Sequence, residues 1–200
     1  MSTVEMDGIW LQAEDRLRSL ASLHRLREDL VCTLPDGASS ARREIDGEVL
    51  LNFSSNDYLD LAQHPEVKQG AIDAVKEYGS GSMASRLVCG TLPIHWELEA
   101  GLANLKGSES ALVFSSGYMA CLGVVQALSR RSDDSPVQVL FDRLVHASLV
   151  DGATQERRRW RSFPHNDLNS LELLLKKVKH TQWPSAVVLT EGVFSMDGDV

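Results

Sequence analysis

The chain is expected to fold as an α/β protein around a mostly parallel sheet. From residue 108 onward, apolar runs and amphipathic stretches alternate in the order strand, helix, strand, helix, helix, strand. That alternation is the pattern of a sheet layered with helices. Two of the runs, "PVQVLFD" at 136–142 and "AVVL" at 186–189, read as buried strands bounded by turn residues. In such folds ligands sit at the carboxyl ends of the strands. Three loops there carry polar side chains: "SSGY", "DRLVHAS" and "TEGVFSMDGD".

The elements follow in order. Leu11, Leu17, Leu20, Leu23, Leu26 and Leu30 recur at helical spacing, which predicts a helix over 9–31. "LPDGASS" at 34–40 breaks it. "EVLLNFSS" at 48–55 is strand-like, so residues 1 to about 50 read as an N-terminal helical arm and lead-in. Pro65 opens a helix that Gly79 closes, and Pro93 opens another that Gly107 closes. The small-residue stretch 79–91 between them is a loop. "SALVFSS" at 110–116 predicts a strand, "GYMACLGVVQALSRR" a helix apolar on most faces, "HASLVDGATQ" a helical piece and 167–180 a further helix.

Composition narrows the classes of function. With 43% hydrophobic and 24% charged residues, the 200-residue chain has the make-up of a soluble globular protein with a sizeable core. A net charge of −8 argues against nucleic acid or an anionic membrane as the main partner. The basic run "ERRRWR" at 156–161 reads as a solvated surface. Cys32, Cys89 and Cys121 are scattered and lack C-x-x-C spacing, which suggests free thiols in a reducing cytoplasm and no metal site. The first residues lack a secretory pattern, and no apolar run approaches the ~20 residues that span a bilayer.

Several positions carry candidate chemistry. Ser115, Ser116 and Gly117 link a strand to a helix N-terminus, where free N–H groups and the dipole favour a phosphate; a plain strand-to-helix turn presents the same groups. Neither G-x-x-x-x-G-K-[ST] nor G-x-S-x-G occurs. His146 follows a strand closely; it suits stacking on an aromatic ring or proton transfer, and equally a structural hydrogen bond. Glu191, Ser195 and Asp197 follow the last strand, and Asp197-Gly198 is also a good turn pair. Asn56 fits a carboxylate contact or a turn cap. His165 reads as part of a helix-capping turn with Asn166 and Asp167.

The segments "LNFSSNDYL", "GSGSMASRLVCGT", "ALVFSSGYMA", "DRLVHASLVDGA", "FPHND" and "TEGVFSMDGD" occur in this order. In that ordered set the chain, from about residue 50 to 200, resembles the α-oxoamine synthases, pyridoxal-phosphate enzymes of fold type I. The resemblance implies a three-layer fold, of which 51–200 form the N-terminal part of the cofactor-binding large domain. It implies pyridoxal 5'-phosphate as cofactor. Ser116, Gly117 and Tyr118 would hold its phosphate and flank its ring, His146 would stack on the ring, Ser195 would meet its phenolic oxygen and Glu191 would lie nearby. Asn56 would orient a substrate carboxylate. The implied reaction is a decarboxylating condensation of an amino acid with an acyl-CoA or other acyl thioester, in a homodimer. "NFSSNDYL" and "FPHNDLNSLE" lean to the branch joining alanine and a pimeloyl thioester in biotin synthesis; "SRLVCGT" leans to the branch joining glycine and acetyl-CoA. The family's reactive lysine and the acid for the pyridine nitrogen lie beyond the last motif. The chain is therefore expected to be the N-terminal part of a longer enzyme, inactive alone, with a non-catalytic truncated relative as the alternative.

Overall fold

The computed structural model describes residues 4–27, 29–35, 39–129, 135, 137–155, 160–181 and 185–200, with side chains from residue 8. The chain divides into two compact units, Met1–Gly90 and Thr91–Val200.

In the first unit, helix α1 spans Val4–Ser22. It ends nine residues before the expected helix over 9–31 does. His24 turns left-handed (φ 53°), and its N–H and that of Arg25 bond back to Ala21 and Leu20 carbonyls at 3.0 and 2.8 Å. This pattern caps a helix C-terminus, so the later leucines lie outside α1. β1 (Arg42–Ile45) and β2 (Glu48–Leu51) pair antiparallel. They are joined through Asp46 and Gly47, both at positive φ (51° and 82°), which a two-residue hairpin of this twist requires. The expected strand over 48–55 therefore stops at Leu51, and β1 lies inside the segment read as a helical arm. Of the 34–40 breaker, residues 36–38 fall outside the described ones. α2 runs Pro65–Tyr78, with Pro65 in its first turn and Gly79 at its end. A single π turn, Arg86–Gly90, closes the unit within the stretch read as loop.

The second unit holds α3 (Pro93–Lys106), α4 (Gly117–Leu128), β3 (Gln138–Asp142), α5 (Ala147–Thr154), β4 (Trp160–Phe163), α6 (Leu168–Lys179) and β5 (Ala186–Leu189). β3 is central in the order β4-β3-β5, and both pairings are parallel; the alternation predicts a mostly parallel sheet but places no strand at β4. The core joins Val125 of α4, Val139 and Phe141 of β3, Ala153 of α5, Leu189 of β5 and Phe194 beyond it. α4 meets α5 where Gly152 leaves only 3.0 Å between an added Cβ and the Val125 side chain.

Two expectations need correction. "SALVFSS" is not a strand: among the described residues it pairs with no neighbour, and the Val113 N–H bonds instead to the Glu99 carboxylate at 2.9 Å. A strand needs a ladder partner to satisfy its backbone. Conversely, part of "ERRRWR" is strand β4. Trp160 and Arg161 are exposed and only Phe163 is buried, so an edge strand hides behind a basic run. Residues 156–159 of that run lie outside the described ones.

The π turn generates a test. A Cβ on Gly90 would lie 1.9 Å from the Ala84 carbonyl oxygen and 2.6 Å from its carbon, backbone atoms that cannot swing aside. Gly90→Ala is expected to destabilise the intact protein by at least about 2 kcal/mol, seen as a lower urea midpoint; an unchanged midpoint would contradict so tight a turn.

Candidate active site

The site grows from the end of the central strand. Asp142, the last residue of β3, is 1% exposed. A carboxylate so buried needs donors, and it has three. Leu144 N–H donates to Oδ1 at 2.9 Å, Asn166 N–H to Oδ2 at 2.9 Å, and His165 Nδ1 lies 2.9 Å from Oδ1. Burial pushes its pKa up, but these bonds prevail and hold it below the usual carboxylate range. The other nitrogen of the His165 ring meets Asp199, with Nε2 2.6 Å from Oδ2, and the ring stands nearly perpendicular to that of Phe194, their centroids 4.5 Å apart. Hydrogen bonds to Asp199 and to Asp142 raise the imidazole above its ordinary value.

The loop after β5 is tied down along its length. Phe194 is buried in the core. Its N–H bonds to the Asp199 carbonyl, and the Gly198 N–H to the Phe194 carbonyl, each at 2.8 Å. Gly198 at φ 73° permits this tight return. Ser195, between these anchors, is exposed. Glu191, earlier in the loop, accepts the backbone N–H of His146 through Oε1.

His146 caps α5, and its ring is exposed. Ser148 orients the ring, with its Oγ 2.7 Å and its N–H 3.2 Å from Nδ1. Ser116 caps α4, accepting Met119 N–H at 3.2 Å. The N–H groups of Gly117 and Tyr118, at the first two helical positions, have no intrahelical acceptor, and both residues are exposed. The Tyr118 hydroxyl donates to Asp151 of α5 at 2.6 Å, which raises the phenol pKa and sets the first turn of α4 beside α5. Thus Ser116, Gly117, Tyr118, His146, Glu191 and Ser195 all belong to the second unit, and direct bonds link His146 to Glu191. Asn56 is exposed in the first unit, in the loop after β2. A cleft beside it of about 290 Å³ is lined by Asn52, Ser55, Asp57 and Tyr58 among others, but not by Asn56. A groove of about 310 Å³ between β3, β4 and α6 starts at Gln138, away from the carboxyl edge.

The expected capping turn forms, and His165 does more within it. Asp167 caps α6, accepting Ser170 N–H at 2.9 Å, while His165 turns inward between two acids. Asp142, Asp151 and Asp199 are partners that sequence reading missed; the signal available was an acid closing the apolar run "VLFD" and "HND" at the next strand end.

Residues 48–200 match the aminotransferase class I and II family, and the chain belongs to it. The family is pyridoxal phosphate (PLP)-dependent, and the chain carries part of the large domain of transferase fold type I. Among curated proteins, 8-amino-7-oxononanoate synthase of Geobacter sulfurreducens is 48% identical over 164 residues, 82% of this chain and 40% of that protein. The synthase of the same name from Maricaulis maris is 46% identical over 183 residues, covering 90% and 45%. Serine palmitoyltransferase from S. paucimobilis, solved with bound PLP, superposes with a TM-score of 0.77 at 28% identity, covering 98% of this chain and 47% of that one. An 8-amino-7-oxononanoate synthase from Francisella tularensis gives 0.56 at 26% identity, covering 74% and 38%. The chain spans less than half the length of these relatives. Among the described residues no helix is long and apolar enough to cross a membrane.

Two outcomes follow for the intact protein. Asp142→Ala removes the acceptor of two amides and a ring, and is expected to cost about 2–4 kcal/mol, measured by denaturant unfolding; a loss under about 1 kcal/mol would contradict that role. Stability should also depend on pH in a stated direction. The raised His165 contributes fully below about pH 6.5, its unfolded value, and loses that contribution as pH rises through the higher folded value. The lowered Asp142 contributes above about pH 3.9 and loses it as pH falls through its folded value. The alkaline decline should flatten in His165→Gln; an identical decline in that variant would rule out this histidine as its source.

Proposed function

We propose that this chain supplies the first part of a PLP-dependent acyltransferase that condenses L-alanine with a pimeloyl thioester, releasing CO₂ and the free thiol carrier, in biotin biosynthesis. The 48% identity to a protein named 8-amino-7-oxononanoate synthase carries this reading. In it, residues 1–50 are an arm and 51–200 the N-terminal part of the cofactor domain. The protein works as a homodimer in a reducing cytoplasm. Exposed Phe53, Tyr58, Met83 and Leu87 in the first unit support an interface there.

The residues present fit the cofactor. The exposed first turn of α4 offers two unpaired amides and a dipole to the phosphate, and the space over Gly117 is open, with no atom within 4 Å of an added Cβ. PLP, when bound, supplies an electron sink for the pair left at the amino-acid Cα. The chain's own groups do the rest. Ser116, Gly117 and Tyr118 would hold the phosphate. His146, with Nδ1 held by Ser148, would stack on the ring and assist proton transfer through Nε2. Glu191 sets the backbone of His146, and Ser195 would donate to the phenolic oxygen. Asn56 would orient the substrate carboxylate.

All six lysines lie on helices: Lys68 and Lys76 on α2, Lys106 on α3, and Lys176, Lys177 and Lys179 on α6. None stands in a loop that follows β3, β4 or β5, which supports inactivity of these 200 residues by themselves. A second reading has specific support: "SRLVCGT" resembles the branch that joins glycine and acetyl-CoA.

The intact protein, loaded with PLP, is expected to release thiol from alanine plus pimeloyl thioester at least roughly 10-fold faster than from glycine plus acetyl-CoA or serine plus palmitoyl-CoA. Preference for glycine and acetyl-CoA would replace the first reading by the second. His146→Ala should lower kcat on the order of 100-fold or more while PLP stays bound; undiminished kcat would remove His146 from the reaction.

A further inference from the structure

The proposed reaction leaves one cluster unused, built on the buried Asp142 and the partly buried His165 and Asp199. His165 lies between Asp142, from the end of β3, and Asp199, from the loop after β5, at 2.9 and 2.6 Å. These are the charged groups that face the ring among the described residues; Phe194 packs nearly perpendicular to it, and Asn166 has an amide that reaches Asp199 at 3.3 Å. Both ring nitrogens therefore meet carboxylate oxygens. A neutral imidazole has one N–H and one lone pair, so it serves one acid and repels the other. The doubly protonated ring serves both with charge-assisted bonds.

We propose that His165 is a positioning residue that, as an imidazolium between Asp142 and Asp199, clamps the Ser195-bearing loop onto the carboxyl edge of the sheet. The two ends of the clamp are unequal. Asp142 is also bonded to two amides and is buried, so it keeps its place when the ring loses a proton. Asp199 has a second oxygen, Oδ1, that is buried with no partner among the described residues. Its side chain depends on His165 and on the longer Asn166 contact, so the bond that yields is the one on the loop side. Deprotonation loosens the Asp199 end of the loop and leaves the strand end intact. The consequence for catalysis rests on the proposed place of Ser195 against the cofactor; the clamp rests only on the geometry just given.

The test keeps the two apart. In the intact protein labelled with ¹⁵N-histidine, both His165 nitrogens are expected to carry protons at pH 7, with the signals assigned by their loss in His165→Gln. Amide exchange at Phe194 and Gly198 should rise roughly 10-fold in His165→Gln and in Asp199→Asn at equal pH, while Val139 and Phe141 in β3 keep their protection. Asp199→Asn leaves the buried Asp142–His165 pair in place, so it reports on the clamp even where His165→Gln fails to fold. In wild type, loop exchange relative to β3 should climb as the ring deprotonates. A singly protonated ring at pH 7, or unchanged loop protection in Asp199→Asn, would overturn the clamp. With PLP added, a shifted visible band in Asp199→Asn would extend the clamp to the cofactor. A loosened loop with an unshifted band would uphold the clamp and count against the Ser195 contact.

Discussion

A single buried carboxylate organises the carboxyl edge of this sheet. Asp142 stands at the end of the central strand almost without solvent, where an unpaired charge is untenable. Its donors come from two different loops: Leu144 from the loop after β3, Asn166 and His165 from the loop after β4. His165 then reaches Asp199 in the loop after β5. Satisfying one charge thus draws three loops together.

Packing beneath that edge sets the rest. Val139, Phe141 and Leu189 fill the sheet, Val125 and Ala153 cover it from α4 and α5, and Phe194 carries the β5 loop into the same core. Gly152 allows α5 to close on Val125 of α4. With the helices pressed together, the Tyr118–Asp151 bond brings the first turn of α4 beside α5. His146, at the head of α5, has its ring set by Ser148 and its backbone by Glu191. The amides at the head of α4 and an exposed imidazole are thereby held by rigid elements, the arrangement that positioning of a cofactor would demand.

Much of this was legible in the residues. The prolines and glycines that bound α2 and α3 act through fixed φ and missing donors, which are local properties. The runs "VQVLF" and "AVVL" became β3 and β5 because their burial is written in their composition. What stayed hidden depends on distant partners. "SALVFSS" has strand-like residues but no ladder neighbour, and "WRSF" has a neighbour but a polar surface. The leucines beyond Ser22 continue a helical rhythm that the left-handed His24 interrupts. The same division runs through the site. His146 and Ser195 stand out by motif, whereas His165 looked like a cap because its two acids lie 23 and 34 residues away in sequence.

A crystal structure of the intact protein with PLP decides whether the loops held around Asp142 and the first turn of α4 form one PLP pocket, as proposed. The phosphate is expected on the Gly117 and Tyr118 amides, the His146 ring stacked on the pyridine, and Ser195 at the phenolic oxygen, with Asp142, His165 and Asp199 bonded as described. PLP seated elsewhere, or bound there with His146 turned away from its ring, would contradict the proposal.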